Sequence, residues 1–353
     1  MKSKFIVFSD LHIHDYSLFS EPLPPRTIGT RAVKCVDALR AALSLIGEND
    51  YGIMCGDLFH DGSKLRPSLL VEVMDAIEHS RVPRNRLFFI PGQHDYESAD
   101  GLDNAVLVLG DMVHILIPGI NEFDDFDIVA IWHQKDIKKI INAAISAWEG
   151  RGSDKKMFLV GHFLVDAMLE KAGMPSLPNA IPIDQLPIFT ASFLGDFHVP
   201  IELKKERMFS VGSLLHNSFS DKNREYGSCI EYEIETGKWK RILVEAPRFI
   251  EMNFEDFDPC VEKKDNYYKL LISDISTLKN KLFEYKEDGW KIVSQLKLDA
   301  VSKALKPKER QALKSEFTSV ESVISEYVDK TGIELSPAHI EVRDEILGKI
   351  GKK

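Results

Sequence analysis

Short, nearly unbroken apolar runs alternate with stretches in which apolar residues recur every three or four positions. The runs at 4–9 (KFIVFS), 51–55 (YGIMC) and 87–90 (LFFI) have the pattern of strands buried on both faces. Between the first two, Val36, Leu39, Leu43 and Ile46 share one helical face, with Thr30 placed to cap the helix and Gly47 to stop it. A second helix is predicted over 67–79. The alternation continues with a short helix after Asp95, strand-like runs at 113–117 and 126–132, and a helix at 135–148. Further runs follow at 157–160, 189–194 and 208–211, with a proline-rich loop at 174–187. The segments 229–234 and 239–244 form a hairpin across Glu235-Thr236-Gly237. Strands and helices in this order predict an α/β layer architecture.

Near Ala246-Pro247 the pattern changes. Ile250, Met252 and Phe254 alternate, 266–273 is a strand, 278–285 a helix, and 290–298 alternates again. From about residue 302 the chain is charged and helical. Phe317, Val320, Ile324 and Tyr327 share a face, and a last helix opens at Ser336-Pro337. The expected domains are therefore 1–246, a small α/β capping domain at 247–300, and a helical segment at 301–353.

The chain is 353 residues long, 44% hydrophobic and 28% charged, which is enough for one large core plus one or two small domains. Its formal net charge of −10 counts against a protein that binds nucleic acid through overall basicity, but leaves room for a local basic face. The four cysteines form no CxxC pair and suit a reducing compartment. No apolar stretch is long enough to span a bilayer, and the amino terminus lacks a signal peptide, so a cytoplasmic location is expected.

Candidate chemistry gathers where the strands end. The first run leads into Asp10-Leu11-His12 and the second into Gly56-Asp57-Leu58-Phe59-His60. The third leads into Gly92-Gln93-His94-Asp95, and later runs end at Gly161-His162 and at Gly195-Asp196-Phe197-His198. Open α/β sheets bind ligands at the carboxyl ends of their strands. On an extended chain, the spacing of two in Asp10/His12 and in Asp196/His198 puts each pair on one side. Carboxylates, imidazoles and one amide are the ligands a pair of divalent metals needs. Two such metals about 3.5–4 Å apart are a common device for phosphoester hydrolysis.

The motifs DLH, GDLFH, GQHD, GH and GDFH, in that order on successive strand ends, resemble the calcineurin-like metallophosphoesterase superfamily. Within it, GDLFHDGSKLRPS and the added domains resemble the SbcD-type (Mre-type) nuclease subunits of DNA double-strand-break repair, phage recombination nucleases included. The motifs cover about residues 4–230, and the carboxyl-terminal third matches in layout only. The resemblance implies a four-layer αββα sandwich and a metal-dependent DNA nuclease with two divalent ions, Mn2+ or else Mg2+. Asp10, His12, Asp57 and His198 would hold the first metal. Asp57 would bridge, and Gln93, His162 and Asp196 would complete the second. His94 would be the catalytic histidine, with His60 orienting the phosphate or the DNA. DNA, an SbcC-like coiled-coil ATPase of the ABC type and a second copy of the chain would be the partners. The protein would then be associated with DNA in the cytoplasm, the host's if the source is a phage.

Two positions depart from the family pattern, Gln93 in place of asparagine and Asp196 in place of histidine. They imply either a rebuilt second site with harder ligands or an impaired one. The competing functions are a small-molecule phosphodiesterase or phosphatase, and a non-catalytic scaffold. His14, His79, His114, His133 and His339 fit no family position, and packing or surface roles are expected for them. Asp95 either orients His94 or caps the following turn. The loop at 212–218 is a candidate for contact with the phosphate backbone, and Arg26, Arg31 and the cluster Lys303, Lys306, Lys308, Arg310 and Lys314 are candidates for contact with DNA.

Overall fold

Alternate residues of the first strand, β1 (Lys4–Phe8), belong to two different cores. Phe5 and Val7 join one cluster, while Ile6 and Phe8 join another, and all four are fully buried. A strand buried on both faces cannot show polar alternation, and this explains the unbroken apolar run. The computed structural model describes residues 3–24, 28–152, 154–221, 227–272 and 278–296.

The elements follow in the order α1 (Thr30–Ser44), β2 (Tyr51–Cys55), α2 (Pro67–Ser80), β3 (Leu87–Ile90), β4 (His114–Ile115), β5 (Gly119–Glu122), β6 (Phe126–Ile131) and α3 (Ile137–Glu149). Then come β7 (Lys156–His162), α4 (Asp166–Lys171), β8 (Ala191–Gly195), β9 (Ile201–Leu203), β10 (Met208–Ser210), β11 (Gly227–Glu233) and β12 (Trp239–Val244). One six-stranded sheet runs β12-β11-β1-β2-β3-β4, and a second runs β5-β6-β7-β8-β10-β9. The strands β1, β2, β3 and β4 are parallel, as are β6, β7, β8 and β10, so their carboxyl ends lie in rows.

Three clusters define the layers. Residues of α1 and α2 pack with Ile6, Phe8, Met54 and Phe89 on the outer face of the first sheet. Residues of α3 and α4 pack with Val129, Leu159 and Leu194 on the outer face of the second. Phe5, Val7, Phe88, Phe126, Phe158 and Phe193 fill the space between the sheets. The result is the expected αββα sandwich. After it, β13 (Phe249–Asn253), β14 (Tyr267–Ile272), α5 (Leu278–Glu287) and β15 (Lys291–Leu296) supply a three-stranded sheet ordered β13-β14-β15. Phe257, Tyr268, Leu270, Trp290 and Ile292 form its own small core. By compactness the chain divides into Met1–Leu270 with Leu282–Val293, and Leu271–Lys281 with Ser294–Lys353. The expected helices at 301–353 and their basic cluster lie outside the described residues.

Several local expectations are corrected. Gly29 precedes α1 and Thr30 is its first helical residue, with the Thr30 hydroxyl instead accepting from the Glu21 amide at 3.1 Å. The strand expected at 113–117 shrinks to β4. The Leu116 amide still bonds the Phe89 carbonyl at 2.9 Å, but Pro118 has no N–H to continue the ladder. The helix expected after Asp95 is replaced by single 3-10 turns at Gln93–Asp95 and Ala105–Leu109. The short elements α4, β5 and β9 were not foreseen, because six residues or fewer carry too little periodicity.

Phe5 is the ring on which the central core converges, with centroids of Phe126, Phe158 and Phe193 at 5.1, 4.9 and 6.3 Å. Phe5→Ala is expected to cost about 3–5 kcal/mol, read as a lower urea midpoint with an unchanged slope.

Candidate metal centre

The site begins as a backbone feature. Asp10, His12, Asp57 and Asp196 all adopt left-handed conformations, with φ of 55°, 47°, 54° and 81°. Such values are uncommon outside glycine and persist only where the surroundings hold them. Asp10 and His12 are therefore not brought together by extended spacing, as the sequence suggested. Each strand turns sharply as it leaves the sheet, and each turn swings a ligand-type side chain towards its neighbours. The turns are locked to one another: the Asp10 amide donates to the Gly56 carbonyl at 3.1 Å, and the His12 amide to the Asp57 carbonyl at 3.0 Å.

Two donor groups result. In the first, His12 Nε2 and His198 Nε2 face each other at 3.2 Å, and lie 4.0 and 3.8 Å from Asp10 Oδ1. In the second, His162 Nε2 lies 3.2 Å from Asp57 Oδ2, and Gln93 Nε2 donates to Asp196 Oδ1 at 2.8 Å. Asp57 Oδ2 is also 3.7 Å from His12 Nε2, so this carboxylate stands between the two groups. Asp10 is common to two triads that are metal-capable by geometry, Asp10–His12–His198, in which His198 is partly exposed, and the fully buried Asp10–Asp57–His162.

Four buried side-chain atoms at these strand ends have no hydrogen-bond partner: Asp10 Oδ2, Gln93 Oε1, His133 Nδ1 and His162 Nε2. Leaving a buried polar atom unsatisfied costs about 1–3 kcal/mol, so lone-pair atoms at neighbouring strand ends fit a bound cation. The residues thus suit a pair of divalent ions, with oxygen and imidazole donors in both groups.

Electrostatics differ from group to group: burial lowers His162, but the charge of Asp57 outweighs it and raises that imidazole well above its usual value. Burial pushes His12 down to about 3, against the pull of Asp57, and so favours the neutral imidazole that ligates metals. Asp57 is held well below the usual carboxylate range. Burial acts in the other direction there, and the charge of His162, with His12 beside it, outweighs it. Burial raises Asp10, opposed by His162 and His198.

A surrounding shell fixes these groups. His162 Nδ1 donates to the Cys55 carbonyl at 2.6 Å, which turns Nε2 into the free ring nitrogen. His198 Nδ1 is 3.3 Å from Asp221 Oδ1. Asn217 Nδ2 donates to the Asp10 carbonyl at 2.9 Å, and the Asn217 amide donates to Asp221 Oδ2 at 2.8 Å. The 212–218 loop therefore braces the site's own backbone, a use not foreseen for it. Arg31 is corrected similarly. It is buried, its guanidinium donates to the Asn217 carbonyl at 2.7 Å and covers the Tyr16 ring at 3.7 Å, so it is a strut and not a DNA contact. Arg26 lies outside the described residues.

His94 and His60 occupy the accessible side. The His94 amide donates to Asp57 Oδ1 and its Nδ1 donates to the His60 carbonyl, both at 2.9 Å. The two rings stack at 5.2 Å with an interplanar angle of 11°. His60 Nδ1 is also 3.4 Å from His12 Nδ1. Asp95 touches no imidazole. Its carboxylate accepts from the amides of Phe59 at 2.7 Å, Gly92 at 2.9 Å and Leu58 at 3.3 Å, and so clamps the Asp57 turn to the His94 turn. Burial pushes this carboxyl up to about 7, with the Asp57 charge adding to it. His133 and Asp221 are the site-side residues that sequence reasoning missed. Only the position of His133, just beyond an apolar run, was a usable signal.

The family model for calcineurin-like phosphoesterases matches residues 3–171, which include Asp10, His12, Asp57, Gln93, His94 and His162 and stop short of Asp196 and His198. The two large sheets of this mixed α/β chain are consistent with the sandwich of that family. No curated protein matches the chain in sequence. Among solved structures, a dimetal phosphatase from Danio rerio is 10% identical, covering 69% of this chain and 99% of its own, with a TM-score of 0.39. The calcineurin-like phosphoesterase YfkN from Bacillus subtilis is 12% identical, covering 68% and 88%, with a TM-score of 0.38. A 5'-nucleotidase precursor from Thermus thermophilus is 11% identical, covering 69% and 55%, with a TM-score of 0.36.

Two substitutions test the framework. Gly92 lies against Asp57, and a Cβ there would collide with the Asp57 carboxylate and amide. Gly92→Ala is expected to abolish stoichiometric metal uptake, as measured by elemental analysis after gel filtration. Asp95→Asn puts an amide donor against backbone donors, and is expected to lower stability by about 1–3 kcal/mol in urea.

Proposed function

We propose that this chain, matched over residues 3–171 by the calcineurin-like phosphoesterases, is a metal-dependent phosphodiesterase that cleaves DNA as the nuclease subunit of an SbcCD-like complex. The observation that carries the hydrolase reading is the convergence of Asp10, His12, Asp57, Gln93, His162, Asp196 and His198 into two adjoining donor groups, with His94 on the accessible side. The step to DNA is supported by the GDLFHDGSKLRPS motif and by the additional three-stranded sheet with its own core. A small-molecule phosphatase needs no such addition. The net charge of −10 favours the second reading, a small-molecule phosphodiesterase, unless a partner supplies basic surface.

Bound divalent ions, Mn2+ in this proposal, would polarise the phosphoryl oxygens and make a water acidic enough to attack at neutral pH. The chain's own contribution is position and proton handling. Because the His60 carbonyl accepts the Nδ1 proton of His94, Nε2 is the nitrogen left to serve the departing oxygen, and it delivers a proton there from the doubly protonated ring. The hydrogen bond from the His94 backbone amide to Asp57 ties the His94 turn to the carboxylate proposed to bridge the ions. His60 serves as the platform, with its ring against His94 and its Nδ1 beside His12. A homodimer and an SbcC-like ATPase as partners belong to this proposal as well.

His94→Ala is expected to retain the metal content of the wild type and to lower phosphodiester hydrolysis by about 100-fold or more. With Mn2+, linear duplex DNA should be degraded alongside a chromogenic phosphodiester. Hydrolysis of the small ester with DNA left intact would favour the second reading.

A further inference from the structure

We infer that His133 is an additional nitrogen ligand of the second metal position, an inference that rests on the two-ion reading above. His133 follows β6, whose carboxyl end lies beside that of β7, with Ile131 paired to Gly161. The row of strand ends that delivers His162 from β7 and Asp196 after β8 therefore continues to His133 by one more strand. The His133 ring centroid is 6.5 Å from that of His162, against 5.1 Å for His12 and His198 across the first position.

Three of the buried atoms without a hydrogen bond, Gln93 Oε1, His162 Nε2 and His133 Nδ1, come from three different strand ends of this second group. Nδ1 of the His133 ring has no hydrogen-bond partner among the described residues, as is unusual for a buried nitrogen. Its backbone is anchored, because the Tyr96 hydroxyl donates to the His133 carbonyl at 2.9 Å.

The donor chemistry explains why such a ligand is useful. The first position has two imidazoles, His12 and His198. The second has His162 alone, beside the oxygen donors Asp57, Asp196 and Gln93. His133 gives the second position its second imidazole and shifts its preference towards Mn2+ over Mg2+.

The test is titration of metal-free full-length protein with Mn2+, followed by calorimetry and by elemental analysis. Wild type should bind two ions. His133→Ala should bind the first with unchanged affinity and the second at least ~10-fold more weakly. His133→Gln guards against a folding defect. It should show the same selective weakening, while its metal-free melting temperature stays that of wild type. In an Asp196→His background, which restores an imidazole from another strand end, removal of His133 should weaken the second ion less. Cobalt-loaded wild type should show a visible absorption band of the second ion that shifts in both His133 variants. Unchanged affinity for both ions in His133→Ala would overturn the inference. So would equal weakening of both ions together with a lower metal-free melting temperature, which would assign the residue to packing. A wild type that takes up no ions would instead overturn the two-ion reading itself.

Discussion

The site depends on one buried carboxylate. Asp57 is inside the protein at the end of β2, where an isolated negative charge would be costly. It is tolerated because the His94 amide donates to one oxygen and the imidazoles of His162 and His12 approach the other. Those contacts tie together turns from four strands. The same carboxylate therefore holds the candidate donor groups in register and sets the distance to the imidazole on the accessible side.

Much of the remaining polar structure serves to keep that arrangement rigid. Asp95 closes the gap between two turns by accepting three backbone N–H groups, an anionic clamp replacing a regular cap. On the opposite side Asn217 and Asp221 brace Asp10 and His198, and Arg31 braces Asn217. The left-handed conformations of four ligand-bearing residues are strained positions, and these braces supply what holds them. Gly92 leaves room for Asp57 because any side chain there would occupy the space of its carboxylate.

The layer architecture was legible because strands buried on both faces must be apolar throughout, and the runs at 4–9, 51–55 and 87–90 are. The candidate residues Asp10, His12, Asp57, Gln93, His94, His162, Asp196 and His198 were legible for a related reason, since a polar group directly after such a run has few purposes but a site. What pattern could not show was the mode of convergence. The spacing of two in Asp10/His12 suggested one face of an extended strand, while the chain leaves the sheet through left-handed turns. His133 also follows an apolar run directly, but with no second ligand-type residue beside it the signal is weaker than in the paired motifs. Asp221 was out of reach because its partner His198 is 23 residues away and nothing local marks it.

The sequence by itself determined which segments become strands, which become covering helices, and which side chains are delivered at the strand ends. Hydrophobic period and side-chain type are local properties, and they survive without knowledge of neighbours. Only the tertiary structure decided which of those side chains meet, which carboxylate lies between both donor groups, and which buried nitrogens lack a partner. Those facts depend on the order of strands in each sheet and on the stacking of one sheet on the other. Both are set by packing between residues that can be more than a hundred positions apart, as His162 and Cys55 are at 107.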